Sequence, residues 1–250
     1  MADLEQALLD LQRLTERLRR DCPWDREQTA RTIVPHTVEE AYEVADAALA
    51  DDDEKLLDEL GDLLFQVFFL ALTLQEKDYG TLADVARGVH EKLVRRHPHV
   101  FGDVVADSSH AVRANWETIK REQEGREGVF HHVPESLPAL LYARKVQQRA
   151  KAVGFEYPDV AGAVADLDDE IRELKDGFDA SELGDVLFAA VNVARKLDVD
   201  PELELRRAAQ RFRVRVETAE AIAAEHGENW AGLPLERQDH YFDRAKERTE

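Results

Sequence analysis

The stretch ELGDLLFQVFFLA, Glu59 to Ala71, returns as ELGDVLFAAVNVA, Glu182 to Ala194, at an offset of 123 residues (182 − 59 = 123). Leu56, Leu57, Leu60, Leu63, Leu64, Phe65, Val67, Phe68 and Phe69 follow no period-two alternation, so the segment reads as a helix. It is apolar almost all round, which predicts a largely buried helix. Two carboxylates interrupt it. Glu59 and Asp62 are three apart and share one face, which Gln66 continues a turn later. A repeat of this length predicts two similar helical modules.

Working outward, helical periodicity runs almost everywhere. Leu4, Leu8, Leu11, Leu14 and Leu18 make a first apolar stripe, and Arg19 to Pro35 reads as loop. Thr37-x-x-Glu40 has the form of a capping box, predicting a second helix from Thr37 to about Ala50. The third helix is predicted from Glu54 to Lys77, and a fourth from Thr81 to before Pro98. A fifth is predicted from Ser109 to near Gly125. Gly125, Gly128, Pro134 and Pro138 then mark a connection. Helical patterning resumes with Leu140, Leu141 and Val146, with later helices near 158–176, 181–197, 201–225 and 234–248. The expected organisation is a first module over 1–128, a linker over 129–138 and a second module over 139–250.

Glu40 and Glu43 repeat the i,i+3 spacing on the helix before Glu59 and Asp62, and the short Asp51–Asp53 turn makes the two helices antiparallel neighbours. Four carboxylates then converge. Buried carboxylates call for protonation, a basic partner or a metal ion. Oxygen ligands in this number suit Mg²⁺ or Mn²⁺, and magnesium usually shares its shell with substrate phosphates. Each pair alone also reads as a solvated face, and Glu40 as a mere capping partner. Recurrence as Glu170/Glu173 with Glu182/Asp185 weighs toward a site. Lys92 and Arg96, Trp116 and Lys120 add i,i+4 cations and an aromatic. Such cations suit a polyphosphate and the indole suits a base. Arg211, Arg215, Phe242 and Lys246 repeat that arrangement. A basic stripe with Trp116 in the core is the structural alternative.

Composition excludes several classes. The 250 residues carry 33 Lys and Arg against 53 Asp and Glu, a net charge of −20 that disfavours nucleic-acid backbones and anionic membranes. One cysteine, Cys22, rules out an intrachain disulfide and a multi-cysteine metal site. The opening MADLEQALLDLQRL lacks a basic region, and the run Leu63 to Leu74 is too short to span a bilayer. A soluble cytoplasmic protein is expected.

CPWDREQT (Cys22 to Thr29), EEAYEV (Glu39 to Val44), ELGDLLFQVFF, KLVRRHPHVFGD (Lys92 to Asp103) and NWETIK (Asn115 to Lys120) together resemble a MazG-type nucleoside triphosphate pyrophosphohydrolase of the all-α NTP pyrophosphatase superfamily. The likeness extends over essentially the whole chain, in the tandem two-module form. It implies an all-α fold of bundle-like modules, completed by homodimerisation, with sites between helices of interleaved modules. It implies Mg²⁺-dependent hydrolysis of nucleoside triphosphates to the monophosphate and pyrophosphate, in the service of nucleotide-pool clearance. Glu40, Glu43, Glu59 and Asp62 match the family's metal-binding acids, and Lys92, Arg96, Trp116 and Lys120 its substrate contacts. In the second module Glu170, Glu173, Glu182 and Asp185 match the acids, and Arg211, Arg215, Phe242 and Lys246 fall at the other positions. Glu39 or Glu43 is the expected acceptor of the water's proton.

The second module departs from the pattern. Its leading acid is Asp169, and Gln66 becomes Ala189. Its acid pairs stand nine residues apart (182 − 173) rather than sixteen (59 − 43). The first module is therefore expected to be the active one. Two alternatives stand: a dUTP-type or phosphoribosyl-ATP pyrophosphatase, against which CPWD and RRHPHVF argue, and a non-catalytic helical scaffold with a vestigial metal site.

Overall fold

Thr29, not Thr37, opens the first acidic helix. Its Oγ1 accepts from the Thr32 amide at 3.3 Å while Thr32 Oγ1 accepts from the Thr29 amide at 2.8 Å. That reciprocal box starts the helix at Ala30 and carries it through Pro35. Thr37 lies inside, its hydroxyl donating to the Ile33 carbonyl at 3.4 Å. The expected Thr37/Glu40 box is thus corrected, and so is the loop expected over Arg19–Pro35. The capping demand is met six residues upstream of the proline (35 − 29), which costs the helix one internal hydrogen bond.

The computed structural model describes residues 2–104, 108, 112, 119, 128–130 and 133–249. Among them there is no strand, and the fold is all-α as expected. The chain divides into two compact units, Met1–Gly125 and Arg126–Glu250. The predicted helix from Ser109 to Gly125 lies largely outside the described residues.

In the first unit α1 spans Ala2–Asp21, α2 Pro23–Glu27, α3 Ala30–Leu49, α4 Asp53–Gln75, α5 Leu82–Arg96 and α6 Pro98–Phe101. Helix α3 lies along α4, and α1 packs on α2 and α4. The core gathers Ile33 and Ala47 from α3 with Phe68, Phe69, Ala71 and Leu72 from α4. One arginine braces the unit. Arg19 grips Glu76 with two hydrogen bonds of 2.7 and 2.8 Å, and its Nη1 donates to the carbonyls of Asp25 and Gln28. The guanidinium also lies 5.7 Å from the Phe69 ring. Helix α2, which begins at the proline of CPWD, is thereby fixed to α1 and α4.

Helix α4 is less buried than its composition predicts. Its C-terminal half fills the core, but Leu57 is 76 % exposed, and Leu60, Leu64 and Val67 are also exposed. They recur at helical spacing and form one apolar face that is substantially open to solvent.

In the second unit α7 spans Ala139–Ala152, α8 Val160–Gly177, α9 Ala180–Lys196, α10 Pro201–Glu225 and α11 Leu235–Thr249. Helix α8 pairs with α9, and α10 with α11. Ala219, Ile222, Ala223, Tyr241 and Ala245 form its core, with Trp230, Leu233 and Phe242 against it. Glu156 receives Arg195 at 2.6 and 2.8 Å and Lys196 at 3.0 Å. These cations hold its carboxyl down at about 2. On α9, Leu183, Leu187 and Phe188 are exposed, at the positions of Leu60, Leu64 and Phe65 under the 123-residue offset.

Candidate functional site

Helices α3 and α4 turn back on each other through Ala50–Asp52. Asp51 takes the left-handed conformation (φ 54°), and Asp52 caps α4 by accepting from the Lys55 amide at 3.0 Å. That tight reversal sets Glu40 and Glu43 across from Glu59. One carboxylate oxygen from each of the three lies within 4.8 Å of the other two. Glu40 is half-buried, Glu43 exposed and Glu59 buried. Ala47 is fully covered one turn beyond Glu43, and its small side chain lets the two helices approach.

The electrostatics are those of an under-compensated anion cluster. Burial pushes the Glu40 carboxyl up, and the charges of Asp62, Glu43, Glu59 and Glu39 push it further. Burial likewise raises Glu59, with help from the Glu43 charge and a hydrogen bond shared with Glu43. Lys55, 3.7 Å from Glu59 Oε1, works in the opposite direction. It is the one cation paired with these three acids among the described residues. Asp62 stands outside the close set of three but near enough for its charge to act on Glu40.

The donor set is chemically uniform: carboxylate oxygens, with no sulphur or imidazole among the three. Hard oxygen donors with surplus negative charge fit a hard divalent cation. Next along the acid face, Gln66 is buried and its Oε1 accepts no hydrogen bond among the described residues. An orphaned buried acceptor is costly and needs a reason. Glu39 stands outside the close set of three, with Oε2 3.1 Å from His36 Nδ1. His36 in turn meets the Trp24 ring edge-on at 6.1 Å. His36, Lys55 and Trp24 escaped sequence reasoning. The signals were present in His36-x-x-Glu39 and in Lys55, one turn before Glu59.

The second unit repeats the arrangement. Glu170, Glu173 and Glu182 bring oxygens within 4.8 Å of one another. Burial raises Glu170, and the charges of Glu173 and Asp185 add to it. Asp185 thus stands to Glu170 as Asp62 stands to Glu40. Asp169 is engaged by Arg172 instead.

The cationic positions are less convergent. Lys92 is exposed on α5, and Arg96 is half-buried at its end. Trp116 and Lys120 lie outside the described residues. Arg211 and Arg215 sit on α10, and no hydrogen bond or ion pair joins them to the second acid cluster among the described residues. Phe242 packs against the core and tilts toward Phe212 at 5.6 Å. Lys246 lies 5.1 Å from the Phe242 ring and binds Asp243 at 2.8 Å.

Comparison with known proteins points the same way. Residues 28–101 match the family described as the MazG nucleotide pyrophosphohydrolase domain. The matched segment contains the first acid cluster, Lys92 and Arg96. The chain is 39 % identical over 260 residues to the nucleoside triphosphate pyrophosphohydrolase of Escherichia coli, covering 98 % of each. It is 38 % identical over 245 residues to the nucleoside triphosphate pyrophosphohydrolase/pyrophosphatase MazG of Thermotoga maritima, covering 95 % of this chain and 94 % of that one. A nucleoside triphosphate pyrophosphohydrolase of Mycobacterium tuberculosis is 34 % identical over 212 residues, covering 78 % of this chain and 65 % of that one.

Proposed function

The chain belongs to the MazG nucleotide pyrophosphohydrolase family, and from that premise we propose that it hydrolyses nucleoside triphosphates to nucleoside monophosphate and pyrophosphate. The observation that carries the reading is the three-carboxylate set of Glu40, Glu43 and Glu59. It provides a concentrated hard-anion site where a triphosphate needs a cation to approach an acidic protein. Glu40, Glu43, Glu59 and Asp62 would hold Mg²⁺, with Mn²⁺ as substitute. When bound, the ion supplies charge neutralisation for the triphosphate and a more acidic water.

The chain's own residues do the rest. Glu39 is exposed, uncommitted to the close set, and oriented by His36. It accepts the proton of the attacking water at a carboxylate oxygen. Glu59, which shares a hydrogen bond with Glu43, would act with it as a ligand to the ion. Lys92, Arg96 and Lys120 neutralise charge developing on the pyrophosphate leaving group, and Trp116 stacks on the base. The two units are tandem MazG-like modules. The first is the working one, and Glu170, Glu173, Glu182 and Asp185 form a weaker or regulatory site with Arg211, Arg215, Phe242 and Lys246. The exposed apolar faces of α4 and α9 are covered in a homodimer.

Broad-specificity clearance of the nucleotide pool in the cytoplasm is the role we assign. No helix among the described residues is long and apolar enough to cross a membrane, and the net charge of −20 disfavours nucleic acid as a partner. The test is product identification by anion exchange for a panel of ribo- and deoxyribonucleotides including dUTP. Monophosphate and pyrophosphate, lost with EDTA and restored by Mg²⁺, are expected. Diphosphate and orthophosphate, or no turnover at all, would overturn the reading.

A further inference from the structure

Trp24, on α2 of the first unit, is a large aromatic side chain that packing explains only in part. It is 53 % exposed, and exposed indole gives the fold little in return. Its backbone is nevertheless held firmly. Pro23 opens α2, Gln28 Nε2 donates to the Trp24 carbonyl at 3.0 Å, and Arg19 fixes the carbonyls of Asp25 and Gln28. Asp25, beside it, is buried. A rigid scaffold thus presents a flat aromatic face to solvent.

The direction of that presentation is informative. The Trp24 ring meets His36 at 6.1 Å, 61° from coplanar. His36, Glu40 and Glu43 fall at i, i+4 and i+7 on α3, along one face. A helical turn rises about 5.4 Å, so Trp24 stands about one turn and one ring contact beyond Glu40. A ribose together with part of the phosphate chain spans a gap of that order when the terminal phosphates sit at the carboxylates and the base lies outward.

The second unit supplies an independent observation. Phe155 is 82 % exposed and precedes Glu170 by fifteen residues (170 − 155), as Trp24 precedes Glu40 by sixteen (40 − 24). Each unit therefore sets an exposed aromatic ahead of its acidic helix. Exposure in both copies leaves much of each ring open to solvent.

We propose that Trp24 is a further substrate-binding residue of the first site, forming an aromatic wall on which the nucleobase of the bound triphosphate stacks. This rests on the nucleotide reading above. Stacking accepts any base face, so Trp24 strengthens binding of all nucleotides and leaves the phosphate end unaffected. The family match over 28–101 does not reach it.

The experiment compares binding of two probes to the full chain in Mg²⁺ by calorimetry: an α,β-methylene nucleoside triphosphate and inorganic tripolyphosphate, which has no base. Trp24→Leu keeps apolar bulk without a flat face, and Trp24→Phe keeps a face. Trp24→Leu should weaken the nucleotide roughly five- to hundred-fold and tripolyphosphate less than about two-fold. Trp24→Phe should recover most of the loss. Unchanged nucleotide affinity, equal losses for both probes, or no recovery by Phe would overturn the proposal. So would a change in molecular mass of Trp24→Leu by light scattering, which would put Trp24 in a contact between copies. Wild-type pyrophosphate release is scored separately. A chain that releases pyrophosphate but ignores Trp24→Leu sinks the stacking role alone. Trp24-dependent nucleotide binding without pyrophosphate release sinks the hydrolase reading alone.

Discussion

Replacing Gln66 by methionine should make the protein more stable and a poorer enzyme. Gln66 lies on α4 two turns beyond Glu59, is 8 % exposed, and keeps Oε1 unpaired among the described residues. An unpaired buried amide acceptor costs about 1–3 kcal/mol. Methionine has nearly the same length and volume, so no cavity term offsets the gain. The second unit is an internal control. Under the 123-residue offset its counterpart is Ala189, 3 % exposed, so the fold does not need an amide there. The expected net gain is about 1–2 kcal/mol, and each kcal/mol raises the melting temperature by about 2–4 °C in a chain of this size. The assay is a thermal melt of the metal-free protein, paired with steady-state pyrophosphate release. If the amide serves the phosphate-bearing ligand, losing a hydrogen bond to a charged group should lower kcat/KM by roughly ten- to hundred-fold. A melt that is unchanged or lower would refute the reasoning, since Oε1 would then have a partner within the folded state. A stabilised variant with full activity would leave Gln66 without a functional reason.

Other outcomes follow from the same geometry. Glu40, Glu59 and Glu170 have folded-state pKa values raised above the ordinary carboxylate value, so the folded chain binds more protons than the unfolded one in that window and stability falls as pH rises through it. Glu156 and Asp84, each held at about 2, act oppositely, and their contribution disappears only as pH falls from the ordinary value toward 2. The metal-free protein should therefore melt higher at about pH 5 than at pH 7, and saturating Mg²⁺ should remove that difference; a flat or rising melt from 5 to 7 without metal would contradict it. Phe178 ends α8 in the left-handed region (φ 48°, ψ 40°) and is 83 % exposed. Phe178→Gly should relieve about 1–2 kcal/mol of strain against about 0.5–1 kcal/mol of added unfolded-state freedom, a small rise in melting temperature. The exposed faces on α4 and α9 should be covered between copies, so light scattering at micromolar concentration should report about twice 28.4 kDa; the monomer mass would show that they are not.

Much of the acid site was legible in the sequence because helical spacing is rigid. Residues three or four apart on a helix share a face wherever the helix ends. Glu40, Glu43 and Glu59 therefore could be grouped even though the cap of α3 lies eight residues before the expected one (37 − 29). The misplacement has a local cause: Pro35 looks like a boundary, yet the Thr29/Thr32 box upstream sustains the helix through it. It also removes the capping explanation of Glu40, whose carboxylate joins the cluster instead. Burial was less legible. The composition of α4 says how apolar each face is, but not which face meets the rest of the chain, so the exposure of Leu57, Leu60, Leu64 and Val67 could not be read from it. The Trp24–His36–Glu39 chain needed coordinates, because it joins α2 to α3 through a contact between residues twelve apart (36 − 24).

The central claim is that the three-carboxylate set in the first unit carries the hydrolysis. Glu59→Gln and Glu182→Gln, each in the full chain, test it by pyrophosphate release from the same triphosphates in Mg²⁺. Removing the buried charge should leave the metal-free fold intact, checked by melting. Glu59→Gln should fall at least about a hundred-fold while Glu182→Gln keeps most of its activity. Full activity in Glu59→Gln with loss in Glu182→Gln would contradict it and move the working site to the second unit.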